Sequence, residues 1–169
     1  NNLEYDRLQQ SSDVDERTLR EIYYKPFEIA CGAKPASVMC SYNRINGTYA
    51  AEYKRGFDVL REEFGFDGAI VSDWGAVRDR TASAKAGLDL SMPVCEEHVR
   101  KLRADYAAGR LTDEELDACA QRVLDLIARC KKMRAGKEVV RTERERAEVA
   151  KEIAAEGMVL LKNDGLLPL

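Results

Sequence analysis

Ala69-Ile70-Val71-Ser72-Asp73-Trp74-Gly75-Ala76 decides the reading of this chain. Ala69 to Val71 form an apolar run of the kind that fills a buried strand. The run ends abruptly at a serine, a carboxylate, an indole and a glycine. A carboxylate just past the end of a buried strand is where parallel α/β enzymes keep their chemistry. Asp73 is therefore the candidate reacting residue. Strand position alone leaves a second reading open, since an Asp there also caps the following helix or turn. Trp74 shifts the weighing. An indole in a strand-end loop either packs into a core or walls a pocket, and apolar rings are platforms for the C–H face of a sugar. Carboxylate beside indole points to carbohydrate.

Working outward, Ala36 to Ser41 reads as a preceding strand, and Leu88 to Met92 as a following one stopped by Pro93. A helix is predicted from the cap Asp15, broken or kinked at Pro26. Further helices are predicted over 52–63 with Gly65 as C-cap, over 77–86 ending at Gly87, and over 96–108 closed by Gly109. Capping boxes at Thr112-x-x-Glu115 and Thr142-x-x-Glu145 open two more. Leu116, Cys119, Val123, Ile127 and Cys130 recur at helical spacing and read as a core-facing stripe. Residues 1–14 read as a loop, as does Tyr42 to Thr48. Asn46-Gly47 is a turn signal that can mark a hairpin, but no second strand is expected after it. Met158 to Leu161 reads as a final apolar strand.

This alternation predicts an α/β fold of parallel β/α units. Three such strands cannot close a barrel of about eight, and they leave unpaired edges. The expectation is a segment of something larger, or a chain completed by a homo-oligomeric partner or a complementing chain segment.

Composition narrows the function classes. The 169 residues suit one domain. A chain 45% hydrophobic and 34% charged fits a soluble globular protein, and a net charge of −3 offers no long-range attraction to nucleic acid or anionic membrane. No apolar run approaches bilayer-spanning length. The cysteines at 31, 40, 95, 119 and 130 are odd in number and form no C-x-x-C, and His98 is the single histidine. No metal site and no cofactor are expected. Unpaired cysteines at buried-looking positions (Cys40, Cys119, Cys130) point to a reducing compartment, hence the cytoplasm. The chain opens on Asn1-Asn2 without an initiator methionine or signal peptide, so a native start upstream is expected and export stays undecided. Phosphate-cradling glycine motifs and the G-x-S-x-G elbow are absent from the sequence. One helical histidine makes no Ser–His–Asp triad.

Other residues join Asp73 if the strands are parallel neighbours. Met39 and Tyr42 lie at the end of the previous strand and converge on the same face. The alternative for Met39 is core filling, and for Tyr42 a loop anchor. Asn43 and Asn46 read as loop-shaping residues. Arg7 sits in a dense polar cluster with Asn1, Asn2, Glu4 and Asp6, which could equally be a solvated loop. His98 reads as a surface residue, and Arg141 to Glu148 as a solvated helix face.

Five segments carry a family resemblance. They are Asn1-Asn2-Leu3-Glu4-Tyr5-Asp6-Arg7, Asp15 through Tyr23, Val38-Met39-Cys40-Ser41-Tyr42-Asn43 with Asn46-Gly47, Gly65-Phe66-Asp67-Gly68 through Ala76, and Ala86 through Pro93. With the tail Val159 to Leu169 they resemble glycoside hydrolase family 3, the β-glucosidase-type enzymes, in order and over nearly the whole chain. The resemblance implies a (β/α)8 TIM-type barrel followed by an α/β sandwich domain. Residues 1–110 would be the later part of the barrel, 111–157 its helical end and linker, and 158–169 the start of the sandwich.

The same resemblance assigns roles. Asp73 matches the nucleophile of the S-D-W motif. Met39 and Tyr42 match residues that approach the sugar, Arg7 one that contacts sugar hydroxyls, and Trp74 one that lines the pocket. It implies a retaining β-glycosidase, most simply a β-glucosidase acting on a β-glucoside or oligosaccharide through a covalent glycosyl-enzyme. Retaining enzymes hold their two carboxyl groups roughly 5–5.5 Å apart. The family's Lys-His pair and its general acid/base have no counterpart here, so the isolated chain is expected to have little or no hydrolase activity. Rival readings are a β-xylosidase or arabinofuranosidase of the same family, and a non-catalytic sugar-binding or interaction module. An aldolase-type barrel would want a Schiff-base lysine at a strand end. Lys162 alone stands near one, and the reading is set aside.

Overall fold

The computed structural model describes residues 4–135 and 140–168. β1 (Ser11–Ser12) precedes a helical run built from α1 (Glu16–Thr18), a π-helical segment at Leu19–Tyr24 and α2 (Lys25–Cys31). β2 (Ser37–Cys40) leads into β3 (Arg44–Ile45) and β4 (Thr48–Tyr49). A 3-10 turn at Ala50–Glu52, α3 (Lys54–Asp58) and a second π-helical segment at Val59–Glu63 return the chain to β5 (Ala69–Ser72). Then come α4 (Arg80–Ala86), α5 (Glu96–Ala107), α6 (Asp113–Arg134) and α7 (Glu143–Gly157). Contacts divide the chain into two units, Asn1–Met133 and Arg134–Leu169.

The first unit is organised by β5. It pairs parallel with β2, Val38 opposite Ile70 and Cys40 opposite Ser72. Gly68 permits the approach. A Cβ there would stand 2.4 Å from the Ala36 carbonyl oxygen, which accepts the first ladder bond from the Ala69 amide. The third strand expected at 88–92 is reduced to one parallel bridge, Val71 to Leu90. The reason is Asp89. Its Oδ2 accepts the Ile70 amide hydrogen at 2.7 Å, replacing a ladder carbonyl and ending the pairing. Ile70 and Leu88 are wholly buried and pack with Phe57, Leu60 and Phe66. Each such side chain contributes about 1.5–3 kcal/mol of burial free energy.

Charge is buried beside this core. Asp89 pairs with Arg61 at 2.8 Å and Arg122 at 2.7 Å, while Arg80 donates to the Leu88 and Asp89 carbonyls. α4 and α5 are tied by Asp105, which accepts from Thr81, Lys101 and Arg110. Bonds from Lys101, Thr81 and Arg110 hold its carboxyl well below the usual carboxylate range.

Several expectations need correction. Pro26 does not break its helix. Its ring crowds the carbonyl four residues back and its nitrogen cannot donate, and the wider π-helical segment just before it absorbs the mismatch. The helix expected over 77–86 begins at Arg80, because Asp79 is the cap and accepts from the Thr81 and Ala82 amides. Asn46-Gly47 does make a hairpin. Positive φ at both (48° and 85°) forms the turn, and β3 and β4 pair antiparallel across it. Two-residue strands were too short to show as an alternating pattern. β1 adds to β3 in parallel, within the stretch expected to be pure loop. On α6 only the first part of the stripe is covered. Cys119 is buried, whereas Ile127 and Cys130 are exposed.

In the second unit, the Thr142–Glu145 capping box forms as predicted and opens α7. The strand expected at Met158 to Leu161 is absent. These residues have no sheet partner among the described residues, and Leu161 is 92% exposed. A strand draws its stability from neighbours, so apolar sequence alone does not form one. Asn163 organises the turn beyond, accepting from the Gly165 and Leu167 amides. No helix among the described residues is long and apolar enough to cross a membrane.

Candidate active site

The parallel pairing sets where Asp73 goes. Its amide donates to the Cys40 carbonyl at 3.3 Å, carrying the ladder one residue past β5. Alternation along a strand then assigns Asp73 to the face of Val71 and Met39, opposite the buried Ile70 and Ser72. The loop that follows is pinned from the segment after Leu90. Met92 exchanges hydrogen bonds with the Ser72 hydroxyl and accepts the Gly75 amide at 2.8 Å.

The carboxylate itself is held asymmetrically. Oδ1 accepts from the Tyr42 phenol at 2.8 Å and from the Trp74 amide at 2.6 Å. Among the described residues no hydrogen bond reaches Oδ2. The helix-cap reading of Asp73 is excluded by Asp79, which performs that task six residues on. The bond to Asp73 pushes the Tyr42 phenol above its ordinary pKa, so it remains a donor across neutral pH. Tyr42 also donates to the Trp74 carbonyl at 3.0 Å.

Every sequence-predicted site residue lies in the first unit. Arg7 stacks on the Tyr42 ring with its guanidinium carbon 4.7 Å from the centroid, and pairs with Glu4 at 2.7 Å. Stacking on the aromatic face adds an attraction that a merely solvated arginine lacks. Trp74 is 64% exposed, so its indole lies outside the core of this chain. Met39 is 57% exposed in this chain and fills no part of its core. Tyr42, Asp73, Trp74 and Arg7 are thus linked by hydrogen bonds and a ring contact, while Met39 on β2 makes no hydrogen bond to them. Cys40, the residue after Met39, is buried. Burial pushes its thiol up to about 11. Among the described residues no group of three His, Cys, Asp or Glu side chains could hold a metal ion. His98 is half-buried at the surface, and lines a hollow with Gly75, Arg78 and Met92.

Two kinds of residue escaped sequence reasoning. Asp89, inside the strand expected at 88–92, was not singled out, and nothing local shows that Arg61 and Arg122 converge on it. Tyr49 and Arg78 were passed over. Arg78 lies over the Tyr49 ring at 5.6 Å, opposite no acidic partner in sequence that would flag it.

Fold and site together define the class: an α/β protein with a half-exposed, tyrosine-bound carboxylate and an open indole at the C-terminal ends of parallel strands. Comparison with known proteins gives the family. Residues 7–126 match the glycosyl hydrolase family 3 N terminal domain. An exo-alpha-(1->6)-L-arabinopyranosidase of Bifidobacterium breve is 43% identical over 175 residues, spanning all of this chain and 23% of that protein. A beta-glucosidase of Rhizobium radiobacter is 43% identical over 177 residues, spanning all of this chain and 21% of its own length. Beta-glucosidase 3B from Thermotoga neapolitana, solved in complex with alpha-D-glucose, superposes with a TM-score of 0.85 at 37% identity, covering 100% of this chain and 25% of that one. The chain belongs to glycosyl hydrolase family 3. It spans between a fifth and a quarter of the length of these relatives.

Proposed function

We propose that this chain is the nucleophile-bearing segment of a retaining β-glycosidase that removes terminal, non-reducing β-D-glucosyl residues. The observation that carries the reading is the Asp73 carboxylate with one oxygen tied to Tyr42 and Trp74 and the other without a bond among the described residues. A nucleophile needs this asymmetry. The bound oxygen fixes the rotamer, and the other can meet an anomeric carbon. In the reading, Oδ2 attacks that carbon and a glycosyl ester forms. A second carboxyl group protonates the leaving oxygen and then activates water. As the ester forms, negative charge leaves Asp73 and the Tyr42 bond weakens. As it breaks, the bond strengthens again, which favours the carboxylate as leaving group.

Trp74 supplies an open apolar surface for a sugar face, and Arg7 supplies guanidinium donors for hydroxyls. Met39 adds apolar contact from β2. The second carboxyl group belongs to sequence outside this chain, so the isolated 169 residues are proposed to be inactive. The architecture proposed with it is late β/α units of a (β/α)8 barrel over 1–110, a helical barrel end and linker over 111–157, and the start of a sandwich domain from 158. An unpaired apolar 158–161 supports that last assignment, since a strand awaiting sheet neighbours looks like this.

A pentopyranoside specificity is the second reading, because an arabinopyranosidase and a β-glucosidase stand at the same 43% identity. The experiment uses the full-length protein. A 2-deoxy-2-fluoro-β-glucoside should add one sugar mass to the peptide holding Asp73. Label on another carboxylate, or none with turnover of aryl β-glucosides intact, rules the assignment out. A parallel panel of aryl β-glucoside, β-xyloside and α-L-arabinopyranoside separates the two specificities.

A further inference from the structure

Arg7 sits on a stretch whose own turn, among the described residues, is closed by the amides of Gln9 and Gln10 on the Asp6 carbonyl. What holds that stretch is the β3–β4 hairpin. The Tyr49 hydroxyl donates to the Leu8 carbonyl at 3.4 Å, and Arg78 donates to the same oxygen at 3.4 Å. The Arg44 amide donates to the Gln10 carbonyl at 3.0 Å, and the Asn46 amide to the Ser12 carbonyl at 3.2 Å. The Gly47 amide donates to the Ser11 hydroxyl at 2.8 Å. Asn46 closes the set with its side chain, accepting the Val14 amide at 2.7 Å and donating to the Val14 carbonyl at 3.0 Å.

That last pair is chemically specific. A primary amide carries one acceptor and two donors in the plane of a peptide unit, so Asn46 pairs with Val14 as a neighbouring strand would. Asn46 also adopts φ of 48°, a left-handed conformation that asparagine and glycine tolerate. The hairpin is anchored in turn to the reacting centre, because Tyr42, two residues before β3, bonds Asp73. One short hairpin therefore sets both the Tyr42–Asp73 bond and the path of the backbone that delivers Arg7 onto the Tyr42 ring.

We infer that Asn46 is a positioning residue for Arg7, acting by clamping the 8–14 backbone to the β3–β4 hairpin. The inference rests on the proposed role of Arg7 in holding the sugar. An arginine that binds hydroxyls equally in the ground and transition states changes KM, and displacing its backbone does the same. Asn46 touches no substrate in this account, and its effect disappears when Arg7 is already gone.

The test is a double-mutant cycle in the full-length protein with Asn46→Gly and Arg7→Ala. Glycine keeps the positive φ and adds no charge. Asn46→Gly is expected to raise KM for an aryl β-glucoside by roughly tenfold with kcat within about threefold. In the Arg7→Ala background the same change should have no further effect on KM. Tyr49→Phe, which deletes one bond to Leu8, should move KM in the same direction by less. Amide hydrogen exchange over residues 8–12 should quicken in Asn46→Gly with or without turnover. Unchanged exchange, or KM effects that multiply in the double variant, overturns the inference. A full-length protein that hydrolyses no glycoside sinks the functional reading alone, and the exchange result still decides whether Asn46 clamps the loop.

Discussion

β5 has a carboxylate at each end, and the two are built differently. At its start, Asp89 is wholly buried and meets two guanidiniums and the Ile70 amide. At its finish, Asp73 is half-buried and meets a phenol and one amide, with Oδ2 free of bonds among the described residues. Asp89 accepts three hydrogen bonds with both of its oxygens engaged, all of them holding structure together. Asp73 is held on one side only. In parallel α/β folds residues at the N-terminal ends of strands serve stability and those at the C-terminal ends serve chemistry. Here one four-residue strand separates the two carboxylates.

Substitution can break the contrast at either end. Asp73→Asn in the full-length protein should lower kcat by roughly 10⁴-fold, with the thermal midpoint unchanged. A variant that kept its kcat would remove Asp73 from the chemistry. Asp89→Ala should do the opposite, leaving two guanidiniums without their shared anion. Denaturant unfolding should show a loss of about 3–5 kcal/mol, and the active fraction that remains folded should keep its kcat. If the stability loss were slight, Asp89 would not be the structural end of the comparison.

A smaller effect sharpens the Asp73 side. Tyr42→Phe deletes one hydrogen bond to the carboxylate, and kcat should fall by roughly tenfold. The pH behaviour follows from the sign of the Tyr42 shift. Its folded pKa is raised by Asp73, so the bond is complete below the ordinary tyrosine pKa of about 10 and is lost as pH rises through the higher folded value. Ultraviolet difference titration should find Tyr42 ionising at lower pH in Asp73→Asn than in the parent protein. No displacement would mean that the bond is not made in solution.

The smallest effect concerns Asp105, whose carboxyl is held low by Lys101, Thr81 and Arg110. A depressed folded pKa contributes stability that is present above the unfolded value of about 3.9 and lost as pH falls through the folded one. Asp105→Asn should therefore flatten the acid limb of a stability–pH curve below about pH 4, while leaving glycoside turnover at neutral pH as it was. A variant with the parent's acid limb would show that Lys101 and Arg110 do not stabilise the Asp105 anion.

Much of the site was legible before any coordinates. Asp73, Trp74, Met39 and Tyr42 lie at ends of apolar runs, and strand ends are local features. The capping boxes at Thr112 and Thr142 were equally legible, because a cap involves only neighbours in sequence. The hairpin was not, since two-residue strands carry no period to detect. The missing strand at 158–161 shows the reverse error: its apolar pattern was sound, but pairing needs a partner that no pattern contains.

The parallel α/β order, the family and the candidate carboxylate Asp73 were readable from the sequence, because those readings depend on local periodicity and on motifs contiguous in the chain. Packing fixes which oxygen of Asp73 is held, brings Arg61 and Arg122 to Asp89, and lets Asn46 reach back across 32 residues to bond Val14. Those are long-range hydrogen bonds and ion pairs, and their partners are brought together by the packing of β2, β5 and the helices around them rather than by anything adjacent in the chain.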